Sequence, residues 1–319
     1  MMRRSRAAQA WVDGRLVQPT GCAIVGRMSD LTFGITLRGS DSLGSFRELV
    51  RRADALGCDV IAAPDHLGAP DPFATLTAAA AISARMRLRT YVLNVGFWNP
   101  ALLARVVATV DLLTDGRVEL GLGAGHMRSE HEEAKLPWLA HRARVEQLEA
   151  TLTEVRQRLA QPDHRPRPVQ APIPIAVGAM TSPGLQVAAK HADIVAFAGL
   201  LQAPRAPAGT FTIASAAETD ARVTEVRSLA AGRAYRTDAL LQAIVIGEDP
   251  ATAAARLAEE FETVSAEQLL DTPFVLLARD PAHAADIIAE RHERYGFHGL
   301  ITHEPYLDAL GQLIVAHRK

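Results

Sequence analysis

Cysteine is almost absent from this 319-residue chain, at Cys22 and Cys58 alone. Two thiols build no disulfide framework and offer no metal-ligand spacing, so a reducing cytoplasm is the expected compartment. Lysine is nearly as scarce, at Lys135, Lys190 and Lys319. The other basic residues are arginines without a basic run, and the formal net charge is −2. That balance argues against nucleic acid as a partner. No run of about 18 apolar residues exists, which excludes a membrane-spanning helix. The arginine-bearing start lacks the apolar stretch of about 7–15 residues that a signal peptide needs. Residues 1–30 are therefore expected as a flexible extension, with Met28 near the start of the folded part. G-x-S-x-G is missing too, and with it the nucleophile-elbow form of Ser-His-Asp hydrolysis.

What remains is a chain of 48% hydrophobic residues, enough to bury an ample core as one large domain over residues 31–319. From Leu31 it alternates strand and helix. Thr32–Leu37 reads as strand one. Ser45 with Glu48 suggests a capping box, and Gly57 stops the helix that follows. Asp59–Ala63 reads as strand two, Ala74–Ala84 as a helix and Leu88–Asn94 as strand three. Asn99-Pro100 opens a helix to Leu113, and Val118–Leu122 is strand four. A long helix from Leu139 to Leu159 precedes a proline-rich loop. Ile173–Gly178, Asp193–Phe197, Leu240–Ile246 and Gly299–Thr302 then give strands five to eight, with Gly199–Thr210 the least ordered-looking internal segment. Thr219–Ala231 reads as a helix, Asp249-Pro250 and Asp280-Pro281 open two more, and a last helix follows Pro305. Eight strands with helices between them predict an α/β fold of (β/α)8 TIM-barrel type, with insertions at the C-terminal face. The alternative, a doubly wound sheet, needs a Gly-rich turn after strand one. Arg38-Gly39-Ser40-Asp41 does not supply it.

In such a barrel the active site lies at the C-terminal ends of the strands. Those ends collect Arg38, Asp65-His66, Asn94, Gly123-Ala124-Gly125-His126, Gly178-Ala179-Met180 and Ala198-Gly199. They are poor in carboxylates and hold no metal-ligand cluster. Glycines, small apolar residues and two histidines favour a flat organic cofactor with an anionic tail. The alternate glycines of Gly121–Gly125 suit a bound phosphate through their backbone N–H groups, or serve as a structural turn. His66 and His126 are the candidates for proton transfer near neutral pH. Arg38 and Arg128 are either solvated or paired with an anionic group. Trp98 and Trp138 are core residues or walls of the site. His292, His298 and His303 come too late, without ligand partners, to be read as metal sites.

DLLTDGRVELGLGAG over Asp111–Gly125, the Asp65-His66 strand end, N-P-A-L-L-A-R at the helix start and PIPIAVGA together resemble the bacterial luciferase-like superfamily. Within it, they are similar to the deazaflavin branch that uses coenzyme F420. The resemblance covers roughly Phe33 to the C-terminus and implies further residues. Tyr91 and Val92 match a non-proline cis peptide set against the cofactor's central ring. Gly123, Gly125 and Ser129 match contacts after strand four. Ala176, Val177, Gly178 and Ala179 match the loop that holds the tail. Asp65 and Asn94 fall among the cofactor contacts, and His66 matches a histidine beside the reacting face. Two positions depart from the pattern. His126 stands where sugar-phosphate dehydrogenases of this group carry a glutamate, and Val275–Asp280 stands where a Gly-Thr turn is usual.

The implied activity is hydride transfer between F420 and a small organic substrate, with reduction of a C=C or C=N bond in a natural-product intermediate as the direction. An FMN-dependent monooxygenase on the same fold is the alternative, and a non-catalytic flavin-binding barrel is the third reading. A homodimer through barrel helices stays open.

Overall fold

Eight short strands, most of their residues buried, close into a parallel barrel. In this computed structural model the described residues are 10–12, 15–17, 28–39, 41–206, 209–261 and 263–318. The barrel strands are Thr32–Thr36, Val60–Ala63, Arg87–Thr90 with Leu93–Asn94, Val118–Gly123, Ile175–Gly178, Ile194–Phe197, Arg236–Leu241 and Phe297–His303. We number them one to eight. Neighbours in chain order pair in parallel, strand eight pairs with strand one, and strand three closes the ring against strand four. Ala10–Val12 pairs antiparallel with Arg15–Val17. The rest of the extension expected over residues 1–30, up to residue 27, lies outside the described residues.

Alternation divides each strand's side chains between two cores. The larger cluster lies between barrel and helices and includes Phe33, Ile35, Ile61, Leu120, Leu122 and Val177. The smaller fills the barrel with Val60, Ala62, Tyr91, Ala196 and Ile301, and Val92 and Leu240 pack against it. Nearer the strands' N-terminal ends the interior turns ionic. Buried Arg89 pairs with Glu119 through Nη2 at 2.5 Å and also with Asp238. Arg87 reaches the same carboxylate at 2.6 Å. Buried charges survive when paired in this way.

Sequence punctuation placed most helix starts. Asn99 accepts from the amides of Ala101 and Leu102, Asp249 from Ala251 and Thr252, and Asp280 from His283. Each stands before a proline whose missing N–H costs the first turn nothing. Four expectations need correction. The capping box of the first helix is Ser42 with Ser45 rather than Ser45 with Glu48. The second helix is Pro72–Ala80 with Asp71 as its N-cap, so it starts and ends earlier than expected. Strand seven of the barrel is Arg236–Leu241; Ala243–Ile246 leaves it to pair in parallel with Val275–Ala278. That pairing also occupies the segment where a Gly-Thr turn was the family pattern. Within Gly199–Thr210, Leu200–Gln202 is a strand that pairs antiparallel with Phe211–Ile213. Among the described residues, strands six and seven are thus each followed by a strand outside the barrel, Leu200–Gln202 and Ala243–Ile246.

Candidate active site

Strand two ends at Ala63, and the turn after it sends Asp65 and His66 to different tasks. Asp65 Oδ2 accepts the Asn94 amide at 3.1 Å and the Trp98 indole N–H at 2.8 Å. It therefore ties strand two to strand three. Burial raises the pKa of its carboxyl, although both donors pull the other way. His66 is directed to the mouth, and its Nδ1 lies 2.7 Å from Glu130 Oε1. A carboxylate accepts only, so Nδ1 carries the proton of the neutral ring and Nε2 is its basic nitrogen.

Glu130 comes from the short helix Arg128–Glu133 that follows strand four. His126, just before that helix, meets the His66 ring edge to face at 5.3 Å and the Phe211 ring at 5.4 Å. Three loops, after strands two, four and six, thereby meet in one cluster. The surrounding protein, then the charges of His66 and Arg144, lower the His126 pKa below the ordinary imidazole value. Its ring is neutral near neutral pH even though water reaches it in the open mouth.

Asn94 sits beneath this cluster with its amide engaged at both ends. Its Oδ1 accepts the Gly96 amide at 3.1 Å, and its Nδ2 lies 2.9 Å from His131 Nε2. His131 Nδ1 faces the Pro137 carbonyl at 3.0 Å. That carbonyl assigns the proton to Nδ1 and makes Nε2 the acceptor. Gly125, at φ +75°, passes so close to this amide that a Cβ there would overlap it. Asp65 through Oδ2 and Asn94 through its amide therefore brace the ends of strands two and three.

The Tyr91–Val92 peptide is cis. Val92 stands half-buried over the cluster inside the barrel, and the glycines around it explain their own positions. A Cβ on Gly123 would come 2.7 Å from Val92 Cγ2, and one on Gly178 3.2 Å from the same atom. The alternate glycines of strand four thus make room for the backbone and side chain of strand three. Ala176 and Val177 are fully buried in strand five, whereas Gly178 and Ala179 reach the rim. Ser129 is exposed on the first turn of its helix, and Arg128 pairs with Glu132 at 2.7 Å.

On the far side, His303 ends strand eight. Thr36 Oγ1 lies 3.0 Å from its Nδ1 and Gln242 Oε1 lies 3.3 Å from its Nε2. Gln242 is itself held by donation to the Ala198 carbonyl at 2.7 Å. Burial, then Arg38, push the His303 pKa down to about 4, so this ring is a neutral wall. Trp98 is packed on Phe73 at 5.4 Å and Trp138 lies under Arg144 at 3.8 Å. Sequence reasoning named His66, His126 and Val92 but missed Glu130, Phe211, His131 and Gln242. The acidic run Glu130-His131-Glu132-Glu133 after strand four was the one signal available for the first of these.

The residues fit a flat ring bound over Val92. An apolar floor, two neutral imidazoles and a carboxylate-backed histidine surround it, and no group of three metal-ligating side chains occurs among the described residues.

A family model described as luciferase-like monooxygenase matches residues 28–263. Over 123 residues the chain is 32% identical to F420-dependent glucose-6-phosphate dehydrogenase of Amycolatopsis mediterranei, a match covering 35% of this chain and 37% of that protein. The chain spans less than half the length of the curated relatives it matches first. Coenzyme F420 dependent tetrahydromethanopterin reductase from Methanopyrus kandleri aligns at a TM-score of 0.67 and 18% identity, over 91% of this chain and 99% of that one. Monooxygenase RslO1 from Streptomyces bottropensis aligns at 0.67 and 22%, over 90% and 98%. These two structures share the barrel.

Proposed function

Because the chain belongs to the luciferase-like monooxygenase family, we propose that it is an F420-dependent oxidoreductase acting on a small organic substrate. The observation that carries this reading is the His66–Glu130 pair at 2.7 Å, in ring contact with His126 at the C-terminal ends of the barrel strands. The similarity to F420-dependent glucose-6-phosphate dehydrogenase supports the choice of cofactor.

Val92 would carry the ring, and the rim residues Gly178 and Ala179 with Ser129 would flank its tail. When bound, the deazaflavin supplies or accepts the hydride; the redox chemistry is its own. The protein handles the proton. His66 Nε2 gives or takes it at the substrate, and the Glu130 carboxylate stabilises the imidazolium while it is charged. His126, neutral at working pH, and the Phe211 ring wall the substrate against that nitrogen. We assign the reductive direction, to a C=C or C=N bond of a natural-product intermediate, because His126 replaces the glutamate expected for sugar-phosphate oxidation. A cytoplasmic setting accords with a chain of only two cysteines.

The likeness to monooxygenase RslO1 favours one second reading, reduced FMN with oxygen in the same mouth. Titrating the purified protein with F420 and, separately, FMN while following cofactor fluorescence separates the two. Micromolar or tighter F420 binding with no FMN binding is expected. Preference for FMN would overturn the deazaflavin reading and point to oxygen-dependent assays.

A further inference from the structure

The ladder between strands three and four breaks for one step. Leu88 and Arg89 face Val118 and Glu119, and pairing resumes with Leu93 and Asn94 against Leu122 and Gly123. Thr90, Tyr91 and Val92 therefore stand opposite Leu120 and Gly121, a bulge of one extra residue on strand three. A bulge deprives the facing strand of its usual backbone partners, and buried N–H and C=O groups are costly to leave unmet. At Gly121 one side chain meets both. Thr90 Oγ1 donates to the Gly121 carbonyl at 2.9 Å and accepts from the Gly121 amide at 2.8 Å. Thr90 is wholly buried. On its other side the ladder is regular, since Thr90 pairs with Ala63 and the Tyr91 amide donates to the Ala63 carbonyl at 2.7 Å.

This clasp has a geometric consequence at the mouth. The Thr90 carbonyl lies over Gly121 so closely that no Cβ fits there. Val92 then lies half-buried against Gly123 and Gly178, the last residues of strands four and five.

We propose that Thr90 is the positioning residue of the site: its hydroxyl replaces the missing backbone partners of Gly121 and so sets where Val92 meets a bound planar ring. The inference rests on the mouth being a deazaflavin or flavin site, but the clasp can be tested without either. Valine has nearly the shape of threonine and no hydroxyl. In Thr90→Val the Gly121 amide and carbonyl lose their partner, strand three shifts or admits water to meet them, and Val92 moves with it. Serine keeps the hydroxyl and should keep the geometry.

The test compares wild type, T90V, T90S and V92A, first without cofactor. The readouts are the Val92 methyl resonances and the exchange rate of the Gly121 amide, followed by fluorescence titration with F420 and with FMN. T90V is expected to displace the Val92 signals and to speed Gly121 exchange by about tenfold or more. It should also weaken binding of whichever cofactor the wild type takes by about tenfold, the size of one unmet buried hydrogen bond. T90S should restore all three. V92A should weaken binding while leaving Gly121 protected, a separation that a merely structural Thr90 would not produce. Unmoved Val92 signals in folded T90V overturn the proposal, and so do displaced signals with unchanged cofactor affinity. If T90V does not fold, T90A carries the same comparison. Wild-type protein that binds neither cofactor overturns the functional reading, while the Val92 and Gly121 signals still decide the clasp.

Discussion

On the proposed reading, proton transfer rests on one contact, the His66 Nδ1 to Glu130 Oε1 bond at 2.7 Å. It fixes the tautomer and puts the basic nitrogen of the ring at Nε2. Replacing Glu130 by glutamine removes the charge that holds an imidazolium, and replacing His66 by asparagine removes the base. Both variants should lose about 100-fold or more in kcat, with KM held within a few-fold, in steady-state assays on any substrate the wild type turns over. A rise in KM at constant kcat would reduce the pair to a binding role. His66 was legible in the sequence because a strand end marked by Pro64-Asp65-His66 puts it on the catalytic face. Glu130 was not, since 64 residues separate it from His66 and its helix offers several carboxylates of which one turns inward.

Strand four shows how an element's composition answers its neighbour. Its glycines recur with the strand's period of two, so Gly121 and Gly123 face the barrel interior together. A Cβ at Gly121 would meet the Thr90 carbonyl oxygen, a backbone atom that cannot turn aside. Gly121→Ala should therefore destabilise by about 3 kcal/mol or more, at or beyond the top of the usual overpacking range. Gly68 is the control. Its φ is +90° with nothing within 4 Å of a Cβ, so Gly68→Ala should cost about 1 kcal/mol, from the backbone conformation alone. Urea unfolding of both variants measures the contrast, and equal losses would mean that crowding at Gly121 relaxes. The periodicity of these glycines was visible in the sequence. What they make room for was not, because the bulge of strand three appears only once both strands are paired. Strand seven was misplaced for a related reason. Ala239–Ile246 is apolar but for Gln242, and a single polar residue in such a run does not by itself mark the point where the chain leaves the barrel.

At the scale of the whole molecule, the ionic layer couples strands three, four and seven and makes stability depend on pH. Burial alone would raise the Glu119 carboxyl, but Arg89, then Arg87 and Arg236, outweigh it and hold the pKa at about 2, below the ordinary 4.5. The unfolded chain therefore takes up this proton first as acid is added. The stabilisation is complete above pH 4.5 or so and drains as the pH falls towards 2, by roughly 3 kcal/mol over the window. Urea midpoints measured from pH 7 to pH 3 should fall along this course. Glu119→Gln should flatten the dependence and lose about 3–5 kcal/mol at neutral pH, because Arg89 is left in the interior without half of its partners. An unchanged acid profile in Glu119→Gln would place the acid-sensitive group elsewhere.

The alternation of strands and helices, the barrel they close and the face proposed to bear the site were determined by the sequence alone, apart from the bounds of strand seven and the strand pairs outside the barrel. Local signals suffice for these: apolar alternation, N-caps before prolines, and glycines at strand ends. The His66–Glu130 pair, the His66–His126–Phe211 cluster and the Thr90 clasp were decided by tertiary structure. Each joins side chains from separate strands or loops, and which of several like residues meet depends on register and on the path of the connecting loops. Those are properties of the closed barrel, set by packing between segments, and no single segment carries them.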